Sequence, residues 1–137
     1  MTKKLPFYLS IDFEDSYHDT LRELGKKNPD SKDAALKKSY EIIKMVKKRY
    51  LNQRPLTFFV TGILAKKHPK LIRKIFEDGN EIGCHYNFHD DINKSNRQNL
   101  AKNLDIAIDS ISKAIGVKPI GFRAPNFAID EDNIWAY

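Results

Sequence analysis

The sequence predicts an α/β domain built from parallel βα units. Short apolar runs alternate with longer segments whose apolar residues recur at three- and four-residue steps, and alternation at this spacing favours parallel pairing through helical crossovers. The helical segments carry Pro, Ser or Asp where helices start and Gly where they stop. A length of 137 residues, 41% of them apolar and 31% charged, suits one soluble globular domain over residues 1–137.

The elements follow in order. Residues 7–11 predict a buried first strand that Asp12 ends. The stretch from Leu5 to Ile11 is short, contains Pro6 and leads to no small-residue cleavage site, so it reads as strand and not as a secretion signal. A cytoplasmic location is the matching expectation. Residues 18–29 read as a long irregular connection, placed where α/β proteins carry functional loops. Residues 31–51 predict a helix with Leu36, Tyr40, Ile43, Val46 and Tyr50 on one face and Asp30 or Ser31 as N-cap. Residues 56–60 predict the second strand. Residues 69–78 form a helix that buries Leu71, Ile72, Ile75 and Phe76, begun by Pro69 and closed by Gly79. Residues 80–84 predict a third strand. Residues 95–115 give the clearest stripe, Leu100, Leu104, Ala107, Ile108, Ile111 and Ile115, closed by Gly116. Residues 119–122 predict a fourth strand. Asp130-Glu131-Asp132 has the acidic character of a helix start, and the sequence reaches Tyr137 before such a helix is complete.

Composition excludes several classes. One cysteine allows neither a disulfide scaffold nor an all-thiolate zinc site. No apolar run is long enough to span a membrane. The formal charge of +6 arises from 24 Lys and Arg against 18 Asp and Glu, spread along the chain as on a solvated surface. A basic nucleic-acid-binding module rests on charge alone, since no basic–aromatic stripe accompanies it.

Three constellations at strand ends could carry chemistry. In Asp12-Phe13-Glu14-Asp15, carboxylates crowd together and repel, which a cation or an arginine would relieve; a helix cap or solvated turn is the plainer alternative. His85 and His89 stand four apart, on one face if their segment is helical, and could share a cation with a carboxylate while leaving positions open. Two loop histidines in ordinary hydrogen bonds are the alternative. In Arg123-Ala124-Pro125-Asn126-Phe127, an arginine beside a stiff proline could fix a carboxylate through two parallel bonds, or be a surface arginine at a turn. His18 sits near the acids, and His68 reads as part of a helix start.

Together these segments resemble, in order and over nearly the whole chain, the polysaccharide deacetylase (NodB-homology) family of carbohydrate esterases. The acid segment is similar to the family's paired aspartates in a variant with an inserted residue. Glu81-Ile82-Gly83-Cys84-His85, continuing to His89, is similar to the histidine motif, with Tyr86 where Ser or Thr is common. The Arg123–Phe127 segment resembles the arginine–proline motif. The resemblance implies hydrolysis of an N-acetyl group on a sugar, polysaccharide or precursor with a divalent metal: zinc first, with cobalt, nickel, manganese or iron as alternatives. It implies Asp12 as the base that activates water and Arg123 as the residue that orients Asp12. The metal would be held by His85, His89 and either Glu14 or Asp15, and Pro125, Phe127 and Tyr86 would face the sugar.

The resemblance also implies a distorted (β/α) barrel of about seven strands, of which four are legible here. At roughly 30 residues per βα unit, the chain supplies the first half, and the C-terminal part of the domain is expected to lie beyond Tyr137. Two chains completing one barrel, or an inactive remnant, are the alternatives. The family's general acid is a histidine in a late motif, and no histidine follows Arg123. The chain alone is therefore expected to bind metal weakly and to release acetate inefficiently.

Overall fold

The computed structural model describes residues 7–26 and 33–131. Strands β1 (Ser10–Phe13), β2 (Thr57–Val60) and β3 (Glu81–Cys84) form a parallel sheet in the order β1-β2-β3. Helices α1 (Ser16–Glu23) and α2 (Asp33–Tyr50) lie between β1 and β2 in the chain, and α3 (Gly62–Lys67) and α4 (Pro69–Glu77) between β2 and β3. Helix α5 (Arg97–Ile115) follows β3.

Register decides what each sheet face carries, because side chains alternate along a strand. Ile11 pairs with Phe58 and Phe58 with Ile82, while Phe13 pairs with Val60 and Val60 with Cys84. This face is apolar and joins Leu36 and Tyr40 of α2, Ile72 and Ile75 of α4 and Ile111 of α5 in one core. Phe58 is fully buried, with edge-on contacts to Phe13 and Tyr40 at 5.8 and 6.0 Å between ring centres. Burying one such ring stabilises the fold by about 1.5–3 kcal/mol. The other face presents Ser10, Thr57 and Glu81 in one row and Asp12, Phe59 and Gly83 in the next. It is polar and, apart from Gly83, only partly covered. The candidate site stands on this face.

Local chemistry sets the helix ends. Thr61 caps α3 through Oγ1, which accepts from the Leu64 amide. Asn96 caps α5, its Oδ1 accepting from the Asn99 amide at 2.9 Å. Gly116 ends α5 at φ +85°, a conformation glycine adopts without a Cβ clash. Helices α3 and α5 meet where Gly62 lies against Ala107: a Cβ on Gly62 would sit 2.6 Å from the Ala107 Cα.

Four sequence expectations are corrected. The first strand is Ser10–Phe13, not residues 7–11, because pairing with Thr57–Val60 fixes it there; Phe7 and Tyr8 are exposed. The expected irregular connection at 18–29 begins instead as helix α1, whose N-cap is Asp15 and which buries His18 and Asp19. Helix α3 was not foreseen, since six residues are too few to display a helical period. The fourth strand at 119–122 contracts to a single parallel bridge between Cys84 and Phe122. Only Gly121 O and the Arg123 amide bond to Cys84 there, and Ile120 points into solvent. The remaining helices and strands lie within a few residues of their expected bounds. The Asp30 or Ser31 cap and the helix expected beyond Glu131 fall outside the described residues.

Candidate functional site

Strand β1 supplies the carboxylates. Alternation along β1 puts Ser10 and Asp12 on the partly covered face, and Glu14, just past the strand, continues that side. Asp15 turns the other way, where its carboxylate accepts the His18 amide at 3.2 Å and caps α1. The choice between Glu14 and Asp15 thus has a geometric answer, with Glu14 beside the histidines.

The histidines come from the turn after β3. His85 extends the ladder by donating its amide to Val60 O at 2.8 Å. Tyr86 then takes φ +67° and reverses the chain. Tyr86 O and Asn87 O accept the Gly62 and Ile63 amides at 2.8 and 3.0 Å, so the first turn of α3 anchors the loop. Asn87 also bonds Asn103 of α5 at 2.9 Å. His89 returns to within 5.5 Å of His85, ring centre to ring centre. The segment is not helical; an anchored turn, not an i,i+4 helical face, brings the pair together.

One ligand atom from each of Glu14, His85 and His89 lies within 4.8 Å of the others. Glu14 Oε2 stands 3.9 Å from His85 Nε2 and 3.3 Å from His89 Nε2. Two atoms sharing an ion at about 2.0–2.1 Å each must lie within about 4.2 Å, and both separations satisfy that. His85 Nδ1 donates to Arg123 O at 2.8 Å, which leaves a lone pair on Nε2. Glu14 Oε2 is buried without a hydrogen-bond partner, a cost that a cation would remove. Burial pushes the Glu14 carboxyl up, with Asp19 and Asp12 adding to the rise and His89 opposing it. Burial holds the His85 imidazole below its ordinary value, against the pull of the Arg123 carbonyl and Asp12. The donor set fits a divalent cation that takes nitrogen and oxygen.

Beside it, Arg123 joins β1 to the far side of the sheet. Its Nη1 donates to Asp12 Oδ1 and its Nη2 to Ser10 Oγ, both at 2.6 Å. The guanidinium lies over the Phe59 ring at 4.2 Å and near Phe127 at 5.6 Å. Gly83 makes this stack possible, since a Cβ there would meet the Phe59 ring at 2.7 Å. Arg123 therefore acts twice, its side chain fixing Asp12 and its carbonyl fixing His85.

A polar groove of about 840 Å³ opens beside His89, bordered by Tyr86, Asp91, Asn99, Asn103 and Asn126. Tyr86 is 3% exposed and packs with Ile92, Leu100 and Ala124; burial pushes its hydroxyl up. It reaches the groove only as part of its floor. Pro125 is buried, whereas Phe127 is 73% exposed with φ +52°. Of the other histidines, His18 pairs with Asp19 and His68 with Asp33, each at 3.2 Å. Burial pushes the Cys84 thiol up to about 11, so it stays protonated and inert near neutrality. Sequence reasoning missed Ser10 and Phe59. For Ser10 a signal existed: the Ser10, Asp12, Glu14 alternation is visible once the strand is known to start at Ser10.

The family model for polysaccharide deacetylase matches residues 33–137. An uncharacterized protein, YlxY, from Bacillus subtilis (strain 168) is 37% identical over 70 residues, 51% of this chain and 22% of that protein. A peptidoglycan deacetylase-like protein, FGM2, from Gibberella zeae is 33% identical over 79 residues, 58% of this chain and 23% of that protein. The chain thus spans less than a quarter of the length of these curated relatives. Among solved structures, the T48 deacetylase with substrate superposes with a TM-score of 0.63 at 25% identity, over 90% of this chain and 50% of that one. A Bacillus anthracis pseudoenzyme of carbohydrate esterase family 4, BA3943, superposes at 0.61 and 20% identity, over 69% of this chain and 33% of that one. The parallel βα units correspond to about the first half of the NodB-type (β/α) barrel these proteins share. The chain belongs to the polysaccharide deacetylase family.

Proposed function

We propose that the chain removes N-acetyl groups from an amino sugar in a polysaccharide, oligosaccharide or precursor, with a divalent metal held by Glu14, His85 and His89. The observation that carries this reading is the buried, unpartnered Glu14 oxygen facing two imidazole nitrogens, beside an arginine-held aspartate. A zinc-type ion held by such a set would supply Lewis acidity and would bring the acidity of water down toward neutral pH.

The chain's own residues do the rest. Asp12 accepts the proton of the attacking water as general base. Arg123 aims Asp12 by a charge-assisted bond, while Ser10 fixes the other arm of the guanidinium. His85 is locked by the Arg123 carbonyl, so its ring cannot rotate away from Glu14. Exposed Phe127 offers an apolar face to a sugar ring, buried Pro125 stiffens the turn that presents it, and Tyr86 forms the floor of the adjoining groove.

The test is isothermal titration with zinc alongside acetate release from N-acetylglucosamine oligomers. Weak but measurable binding is expected, lost in His85→Ala and His89→Ala and retained in Asp12→Asn. Acetate release should be slow in the wild type and absent in Asp12→Asn. A wild-type chain that binds no zinc sinks the metal-dependent reading. Zinc binding with no acetate release at all supports a second reading, a non-catalytic sugar-binding member of the fold. That reading is favoured by the likeness to a pseudoenzyme.

A further inference from the structure

Asp19 has no part in the site as described, yet its position is unusual. It lies on α1, 9% exposed, and divides its carboxylate between two fates. Oδ1 faces His18 Nδ1 at 3.2 Å. Oδ2 is buried with no hydrogen-bond partner, an arrangement that costs about 1–3 kcal/mol, or more for a charged group. Native folds keep such oxygens where something else satisfies them, often a water or an ion.

The surroundings narrow the choice. Asp19 and His89 line the same small cavity, about 80 Å³, together with Arg22, Glu23 and Asp90. That volume holds at least one water, which needs roughly 10–15 Å³ of probe-occupied space. Arg22 is committed elsewhere: its guanidinium bonds both Asp90 oxygens at 2.9 and 3.1 Å and lies 3.6 Å over the Phe88 ring. His89 turns Nε2 toward Glu14, so its second nitrogen, Nδ1, needs an acceptor of its own. Imidazoles that bind metals through one nitrogen nearly always give the other N–H to a carboxylate, a carbonyl or a water.

We propose that Asp19 is a positioning residue for His89, its Oδ2 accepting the Nδ1 proton through a water in the cavity they share. This fixes the tautomer that leaves Nε2 free, sets the ring plane and strengthens Nε2 as a donor. The proposal rests on the reading of Glu14, His85 and His89 as a metal site, but it has a readout that needs no metal. In the metal-free chain, Asp19 favours the Nδ1–H tautomer of His89, while Glu14 pulls the proton toward Nε2.

The experiment compares wild type, Asp19→Asn and His18→Gln in the 137-residue chain by two measurements. Zinc titration should show about 10–100-fold weaker binding in Asp19→Asn and little change in His18→Gln. The ¹⁵N spectrum of the metal-free chain should show His89 shifting toward the Nε2–H form in Asp19→Asn alone. His18→Gln separates the two roles Asp19 could play, since a purely structural Asp19 would lose its function equally when its His18 partner is removed. An unchanged His89 tautomer in Asp19→Asn overturns the proposal, as does His18→Gln reproducing both losses. If wild type binds no zinc, the metal-site reading fails, and the tautomer measurement still decides the role of Asp19.

Discussion

At the scale of single residues, the site holds two groups whose protonation in the fold differs from that in the open chain. Glu14 is pushed up, chiefly by burial, so the folded chain holds that proton more tightly than the unfolded one. Stability from this group is fully present below the ordinary carboxylate range and is lost as pH rises through the elevated value. His85 is held down by burial; its contribution is present above the ordinary imidazole range and is lost as pH falls below it. Without metal, the ionised form of Glu14 is therefore the costly one in the fold. Glu14→Gln is expected to raise the thermal midpoint at pH 7, to lose that advantage near pH 4, and to abolish stabilisation by zinc. Melts at both pH values, with and without zinc, check this, and a Glu14→Gln chain less stable than wild type at pH 7 without metal would refute it. Arg123→Lys makes the complementary case. One ammonium cannot bond Asp12 and Ser10 together or stack on Phe59 as a planar guanidinium does. Misplacing the base by about 1 Å costs on the order of 10²-fold in kcat, while zinc affinity should hold, because the carbonyl that fixes His85 belongs to the backbone. Acetate-release kinetics with zinc titration read both. Much of this site was legible in the sequence through the family resemblance, which singles out Asp12, His85, His89 and Arg123 but leaves Glu14 and Asp15 as alternatives that only the fold of β1 and α1 separates in space. Phe59 was not, because an aromatic inside an apolar run looks like core until the register shows it on the polar face opposite Gly83.

At the scale of elements, the loop that carries the histidines depends on a helix crossing some distance from them. Gly62 opens α3, and a methyl group there would lie 2.6 Å from the Ala107 Cα and 2.8 Å from Asn87 Oδ1. The first contact is backbone and cannot yield by a rotamer change; the second disturbs the side chain that ties the loop to α5. Gly62→Ala is expected to cost about 1–3 kcal/mol and also to weaken zinc binding. Asn96→Ala removes the α5 cap for a similar cost of about 1 kcal/mol, and it should leave zinc binding unchanged because the bond it removes lies within the first turn of α5. Urea unfolding and zinc titration of both variants give the comparison, and equal effects on zinc would refute the coupling through Gly62. The same elements show what periodicity reveals and what it hides. Helix α5 declares itself through a long stripe and Gly116, and α4 through Pro69 and its apolar face. Helix α1 is hidden because its buried residues, His18 and Asp19, are polar, so no apolar period marks it. The fourth strand fails for the opposite reason: its residues have strand character, but a single bridge to Cys84 is all the pairing they find.

At the scale of the molecule, the sheet is covered on one face and open on the other. Parallel sheets are ordinarily buried on both faces, and here the second face carries Ser10, Asp12, Thr57, Phe59 and Glu81, all at least partly exposed. The cross-strand bond from Thr57 Oγ1 to Glu81 Oε2 at 2.6 Å satisfies part of that face, and the Arg123 bridge satisfies another part. The margins remain apolar: Phe7 and Tyr8 precede β1, Ile120 and Phe127 flank the single bridge on the other side, and each is at least 73% exposed. Among the described residues β1 is also an edge strand, a template for a further strand. The 137-residue chain is therefore expected to self-associate through these margins. Sedimentation velocity over a concentration series should show a monomer giving way to larger species, and Tyr8→Lys with Ile120→Lys should return it to monomer. Because both side chains are turned to solvent, 88% and 93% exposed, zinc affinity should survive the double substitution. If affinity falls as the chain becomes monomeric, a second copy completes the site; a wild-type chain that stays monomeric throughout the series would instead show that the open face and edge tolerate water unaided.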